Sequence, residues 1–174
     1  ADRVLNADSE NESWLLHGRT YDESRFSPLK DINDSNVHEL GLSWSFETGT
    51  NRGHETTPIV VDGMMFITAP WSVVFALDAK TGKEIWSFDP KADKAWARNA
   101  CCDVVNRGVA VWENSLVFAT IDGRLISLDK LSGRVNWDVL TIDKSKPYTI
   151  TGAPRIIDGK IIIGNGGGEL GVRG

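Results

Sequence analysis

Apolar positions in this chain fall into short runs rich in β-branched and aromatic residues, each closed by polar turn formers. Thr57–Val61, Met64–Thr68, Val73–Leu77 and Glu84–Phe88 predict four strands, with Asp62-Gly63 as a tight hairpin between the first two. Gly108–Trp112, Leu116–Thr120, Arg124–Leu128 and Val135–Leu140 predict four more, separated by Glu113-Asn114-Ser115, Asp122-Gly123 and Ser132-Gly133. A third set opens with Ala153–Ile157, Asp158-Gly159 and Lys160–Gly164. Ahead of these, Trp14 to Leu29 is irregular, and its stretch from His17 reads as an ordered surface lead-in. Asp34 or Ser35 caps a predicted short helix through Leu40, and Leu42–Phe46 reads as a lone strand ending at Gly49.

The strand sets repeat. Ser127-Leu128-Asp129-Lys130-Leu131-Ser132-Gly133-Arg134-Val135-Asn136-Trp137 restates Ala76-Leu77-Asp78-Ala79-Lys80-Thr81-Gly82-Lys83-Glu84-Ile85-Trp86. Trp86 and Trp137 lie 51 positions apart, and Trp44 lies 42 before Trp86. Periods of that length mark a β-propeller blade or a similar solenoid unit. The pattern has a physical logic: Asp ends a strand, Gly supplies a positive φ, and Trp covers the neighbouring unit. Four strands per unit and about two and a half units point to an all-β propeller of four-stranded antiparallel blades. Residues 1–50 are then lead-in and a closing strand, 51–100 the first blade, 101–150 the second, and 151–174 the start of a third. Such a piece leaves blade faces uncovered, so the rest of a propeller is expected as its partner within a longer polypeptide.

Composition narrows the class. The 174 residues are 41% hydrophobic and 25% charged, with a net charge of −5 from interspersed acids and bases, enough for an ordinary core. No basic stripe suggests nucleic acid, and no apolar run approaches the roughly 20 residues of a membrane span. Residues 1–13 are polar and acidic, without the apolar core of a signal peptide.

The chemistry centres on Cys101-Cys102-Asp103-Val104-Val105-Asn106-Arg107-Gly108, which holds both cysteines of the chain. A disulfide normally spans Cα atoms about 4.4–6.8 Å apart, whereas neighbours sit ~3.8 Å apart. Bonding them would close a small, strained ring. The residues alone favour two reduced, buried thiols packed as small hydrophobes. With the tryptophan repeats, however, this stretch resembles the cofactor site of the pyrroloquinoline quinone (PQQ) dependent alcohol dehydrogenases. The resemblance runs from Trp14 to Gly174 and is nearest to the quinohaemoprotein members. It implies the N-terminal third of an eight-bladed propeller. A cytochrome c domain bearing haem c can follow in such proteins, although no Cys-x-x-Cys-His occurs here.

The resemblance implies residue roles. Cys101 and Cys102 would form a ring disulfide against one face of the quinone, and this needs an oxidising compartment, the bacterial periplasm. Arg107 would contact the quinone; its planar fork suits carboxylate and carbonyl oxygens. Glu55, opening the innermost strand of the first unit, would hydrogen-bond a cofactor carboxyl group. Thr151 holds the same place one unit on and would donate to a carboxylate, with Thr149 as the fallback. His54 departs from the smaller or apolar residue expected there.

In Ile163-Gly164-Asn165-Gly166-Gly167-Gly168-Glu169-Leu170-Gly171, residues 166–171 satisfy G-x-G-x-x-G. A dinucleotide site would need a βαβ unit, and none precedes. The resemblance instead brings the backbone of Gly167 and Gly168 close to the cofactor and makes Glu169 a calcium ligand. Relatives mostly carry Ala at the Gly168 position. The implied reaction is oxidation of alcohols to aldehydes by hydride transfer to calcium-bound PQQ, with a primary or secondary alcohol as substrate and electrons passed to a cytochrome or other acceptor. Asp103 has no support as the base, which is expected beyond residue 174. A non-catalytic scaffold explains the blades but not the site residues. A sugar-oxidising quinoprotein generally lacks the cysteine pair.

Overall fold

Within each of the three repeated sets, every predicted strand pairs with its neighbour in sequence, as short apolar runs joined by tight turns require. The computed structural model describes residues 2–173. Strands β1 (Ile59–Val61), β2 (Met64–Ala69), β3 (Val73–Asp78) and β4 (Glu84–Phe88) form one antiparallel sheet in that order. Strands β5 (Ala110–Trp112), β6 (Ser115–Ala119), β7 (Arg124–Asp129) and β8 (Val135–Leu140) form a second. Strands β9 (Arg155–Ile157) and β10 (Lys160–Ile162) pair as a ribbon. Both full sheets carry a register shift at the equivalent point, between Ala76 and Leu77 and between Ser127 and Leu128.

The repeated turn explains its own composition. Asp78 Oδ1 accepts hydrogen bonds from the Thr81 amide and hydroxyl, both at 2.7 Å. Asp129 does the same for Ser132 at 2.8 and 2.7 Å. The next residue is glycine for two reasons. Gly133 has φ +70°, and a Cβ there would meet the Trp86 ring at 2.8 Å; Gly82 faces Trp44 in the same way. Trp86 also donates through Nε1 to Lys130 O at 3.1 Å. The tryptophan of one sheet therefore seats on the turn of the next, as the spacing predicts.

That docking forms the core. Phe66, Val74 and Ala76 of the first sheet pack against Leu116, Phe118, Ile126 and Leu128 of the second, joined by Leu15. Ala110, Val117, Ala119 and Leu125 pack against Ile150 and Ile156 on the other side. Phe118 is fully buried, and its truncation to Ala should cost about 3–5 kcal/mol.

Leu42–Phe46 is extended and pairs with no strand among the described residues, which do not include the closing blade expected to partner it; Trp44 and Phe46 pack on Ala69, Phe75 and Leu77. Other expectations are corrected. The predicted helix is a single 3-10 turn, Val37–Glu39, with no side-chain cap. Asn33 Oδ1 accepts from the Ser35 amide and diverts the proposed cap. The lead-in is not all surface: Leu15, Leu16 and Arg19 are buried, and Trp14 bridges to Val60 of β1. Arg19 is held by Ala7 O and Asp8. The inner strands β1, β5 and β9 start two residues later than predicted because their approaches bond across sheets. Thr57 N donates to Arg107 O, and Arg107 N donates to Thr151 O. A helical turn, Asp2–Leu5, and a 3-10 segment, Lys94–Asn99, were not foreseen from the pattern.

Candidate cofactor site

Those cross-sheet bonds gather the site. Because the approaches to β1, β5 and β9 lie side by side, Glu55, Arg107 and Thr151 converge from three separate units. Arg107 Nη2 pairs with Glu55 Oε2 at 2.7 Å, and Nη1 donates to Thr151 Oγ1 at 2.6 Å. Arg107 and Glu55 each keep about 40% of their side-chain exposure, so the pair faces open space. A guanidinium has five N–H donors, and these bonds occupy only part of the fork. Arg107 also borders a cleft of about 410 Å³ shared with His17, Gly152 and Arg155. Burial, then the charges of Arg155 and Arg25, holds the His17 pKa below its ordinary value. Thr149, by contrast, is buried, so Thr151 is the threonine that offers its hydroxyl here.

Cys101 and Cys102 are joined by a disulfide, with Cα atoms 3.8 Å apart. Both residues are exposed, but the segment just after Asp103 is not: Val104, Val105 and Asn106 are buried. Val104 packs with Ala92 and Ile121, flanked by Trp71, Ala97 and Ala100. The disulfide is thus an exposed ledge on a rigid footing, a suitable wall for a flat ligand.

Asn106 is the residue that sequence reasoning passed over. It is 2% exposed, and its Nδ2 donates to Ser72 Oγ and Ala119 O while its Oδ1 accepts from Gly108 N. It fixes the backbone on which Arg107 sits. Its place inside the cysteine–arginine stretch was the only available signal, since a buried amide looks like any other in sequence.

Gly167 and Gly168 lie in the loop after β10, and Thr149 exchanges backbone hydrogen bonds with Gly166, which holds this loop beside the Thr151 segment. Gly167 has φ +122°, and a Cβ there would meet Pro147 O at 2.8 Å, so only glycine fits. Glu169 is exposed in the 3-10 turn Gly168–Leu170. Among the described residues, no group of three or more His, Cys, Asp or Glu could hold a metal ion. Glu169 offers one carboxylate, fit for a shared site but not for a complete one. His54 hydrogen-bonds Thr48 at the surface.

Comparisons with known proteins agree with this fold. Residues 14–169 match the family model described as PQQ: Glucose/ethanol/alcohol dehydrogenase, beta-propeller domain. Quinohemoprotein alcohol dehydrogenase ADH-IIG of Pseudomonas putida is 54% identical over 173 residues, covering 99% of this chain and 24% of that protein. The 1-butanol dehydrogenase (cytochrome c) of Thauera butanivorans is 54% identical over 162 residues, covering 92% of this chain and 23% of its own length. The solved ADHIIG structure from Pseudomonas putida HK5 superposes with a TM-score of 0.97 at 53% identity, over 99% of this chain and 25% of that one. A europium-containing methanol dehydrogenase superposes at 0.93 with 38% identity, over 99% of this chain and 31% of that one. The chain therefore spans about a quarter of the length of the curated relatives it matches. Its two four-stranded antiparallel sheets, their docked tryptophans and these matches together establish that the chain belongs to the PQQ-dependent alcohol dehydrogenase family, within the family's β-propeller domain.

Proposed function

We propose that this chain forms the cofactor-holding opening blades of a periplasmic PQQ-dependent alcohol dehydrogenase that oxidises alcohols to aldehydes and passes electrons to a cytochrome. The single observation that carries the reading is the meeting of Glu55, Arg107 and Thr151 from three units, on the segment that also bears the exposed Cys101–Cys102 disulfide. The donor set suits the group: a flat tricarboxylate needs a flat wall and fixed cations and hydroxyls. Arg107 would turn its unused N–H donors to a cofactor carboxylate or carbonyl oxygen, oriented by Glu55 and Thr151. The Thr151 hydroxyl would donate to a second oxygen, and the disulfide would exclude water from one face. Gly167 and Gly168 would let the backbone come close, and Glu169 would supply one oxygen ligand to a calcium ion. When bound, PQQ supplies the hydride acceptor and the cation a Lewis acid beside it. None of these residues is proposed as the base.

The test uses the full-length protein. Glu169→Gln keeps the shape and removes the charge. Calcium affinity, read by titration calorimetry, should fall about tenfold or more, the loss seen when a metal site's supporting interactions are removed. Alcohol-oxidising activity should fall with it and be partly restored by excess calcium, and Glu169→Asp should be milder. Unchanged calcium affinity and turnover would place the metal elsewhere.

A further inference from the structure

The disulfide ledge is gripped from the first blade by a second pair of charges. Arg52 stands three residues before Glu55, and Asp103 stands four before Arg107. Arg52 pairs with Asp103, while Glu55 pairs with Arg107. The two segments are therefore joined by two rungs of opposite polarity. The first rung is anchored further: the Arg52 guanidinium lies 5.7 Å from the centre of the Trp71 ring.

The backbone around this rung is held in an uncommon state. Trp71, Ser72 and Asp103 have φ of 65°, 61° and 67°, in a region that residues other than glycine rarely adopt. Such conformations persist only where the surroundings over-determine them, and they gather at functional sites. Here the surroundings are identifiable. Trp71 N donates to Val104 O at 2.9 Å, and buried Ser72 receives Asn106 Nδ2 at 3.1 Å. Asp103 itself comes directly after the disulfide. Both of these hydrogen bonds lead back to the segment carrying Cys102 and Arg107.

We propose that Arg52 and Asp103 are positioning residues: their ion pair, backed by Trp71, sets the attitude of the Cys101–Cys102 ledge toward the cofactor. Arg52 and Asp103 are 49% and 39% exposed, and an ion pair so exposed contributes little to global stability. Its effect is local, on the orientation of the ledge.

This inference rests on the PQQ reading, and the experiment separates the two. Full-length parent, Arg52→Gln, Asp103→Asn and the double variant are compared; Asn tolerates the left-handed backbone, so the turn survives. In cofactor-free protein, the rate at which a water-soluble phosphine reduces the disulfide should rise severalfold in either single variant. PQQ affinity, read from the absorbance of the bound quinone, should fall about tenfold, as for loss of an orienting partner. The double variant should match the singles in both measurements, because both remove one interaction. Arg52→Lys keeps the charge but loses the plane over Trp71 and should fall between. Melting temperatures should stay close to the parent's. Unchanged reduction rates and affinities, additive effects in the double variant, or losses that simply track melting temperature would overturn the clamp. A parent that takes up no PQQ would overturn the cofactor reading and the clamp's role toward it, whatever the reduction rates.

Discussion

Asp122 shows how much a single side chain can hide. Its sequence context, Asp122-Gly123, reads as an ordinary exposed turn, yet the residue is 5% exposed. Burial by itself pushes its carboxyl upward. The Thr120 hydroxyl, the Asp93 amide and the charges of Arg124 and Lys144 outweigh that and hold its pKa below the ordinary carboxylate value. A folded-state pKa lowered in this way adds stability above the unfolded value of about 3.9, and the contribution is lost as pH falls through the lower folded value. Asp122→Asn in the full-length protein should cost about 1–3 kcal/mol at neutral pH, the range for disturbing a buried hydrogen-bonded group. The variant's stability should also vary less with pH below about 4, where the parent protonates this carboxylate. Denaturant unfolding across pH checks both. A variant whose acid limb coincides with the parent's would show that Asp122 does not titrate with folding.

At the scale of elements, the tryptophan-on-glycine contact links the sheets. Gly133→Ala must place a side chain at φ +70° and push it into the Trp86 ring. The left-handed backbone alone costs about 1–2 kcal/mol, and the displaced ring adds to it. Urea unfolding should therefore show a loss of about 2 kcal/mol or more, with little change at Lys80→Ala in the corresponding exposed turn. Equal stability of Gly133→Ala and the parent would mean that the ring does not rest on this turn. The same scale explains the shortened inner strands. Their first residues bond to the neighbouring sheet, and that is why Glu55, Arg107 and Thr151 meet. The residues leading into the inner strands are the cross-links that build the site.

For the whole molecule, the apolar residues without cover decide the behaviour of this chain on its own. Leu131, Leu140, Ile157 and Ile162 are exposed, as is much of β8, and Phe26, Leu29, Ile32, Leu40 and Leu42 form a second uncovered stretch. Unpaired sheet edges beside such residues invite association. Residues 1–174 expressed alone should self-associate or bind a hydrophobic dye, read by light scattering and dye fluorescence. A monomer with one cooperative melt would show that these faces need no partner.

The blade repeat, its turn chemistry and its docking tryptophan were legible in the sequence because they are local: an Asp-x-x-Thr/Ser-Gly turn closes within five residues, and short β-rich runs closed by turn formers declare themselves. The cysteine–arginine stretch stood out within one short segment, and the Cys101–Cys102 bond that the resemblance implied is present. The capped helix through Leu40 was misread, since Asn33 Oδ1 takes both the amide and the hydroxyl of Ser35 and the segment keeps only a 3-10 turn. Which groups meet could be settled only in three dimensions. Glu55 lies 52 residues from Arg107, and Thr151 lies 44 beyond it. Their encounter depends on how separate sheets pack side by side, and so does the burial of Asn106 and Asp122. Sequence spacing determines what a segment can form by itself; the packing between sheets decides what it touches.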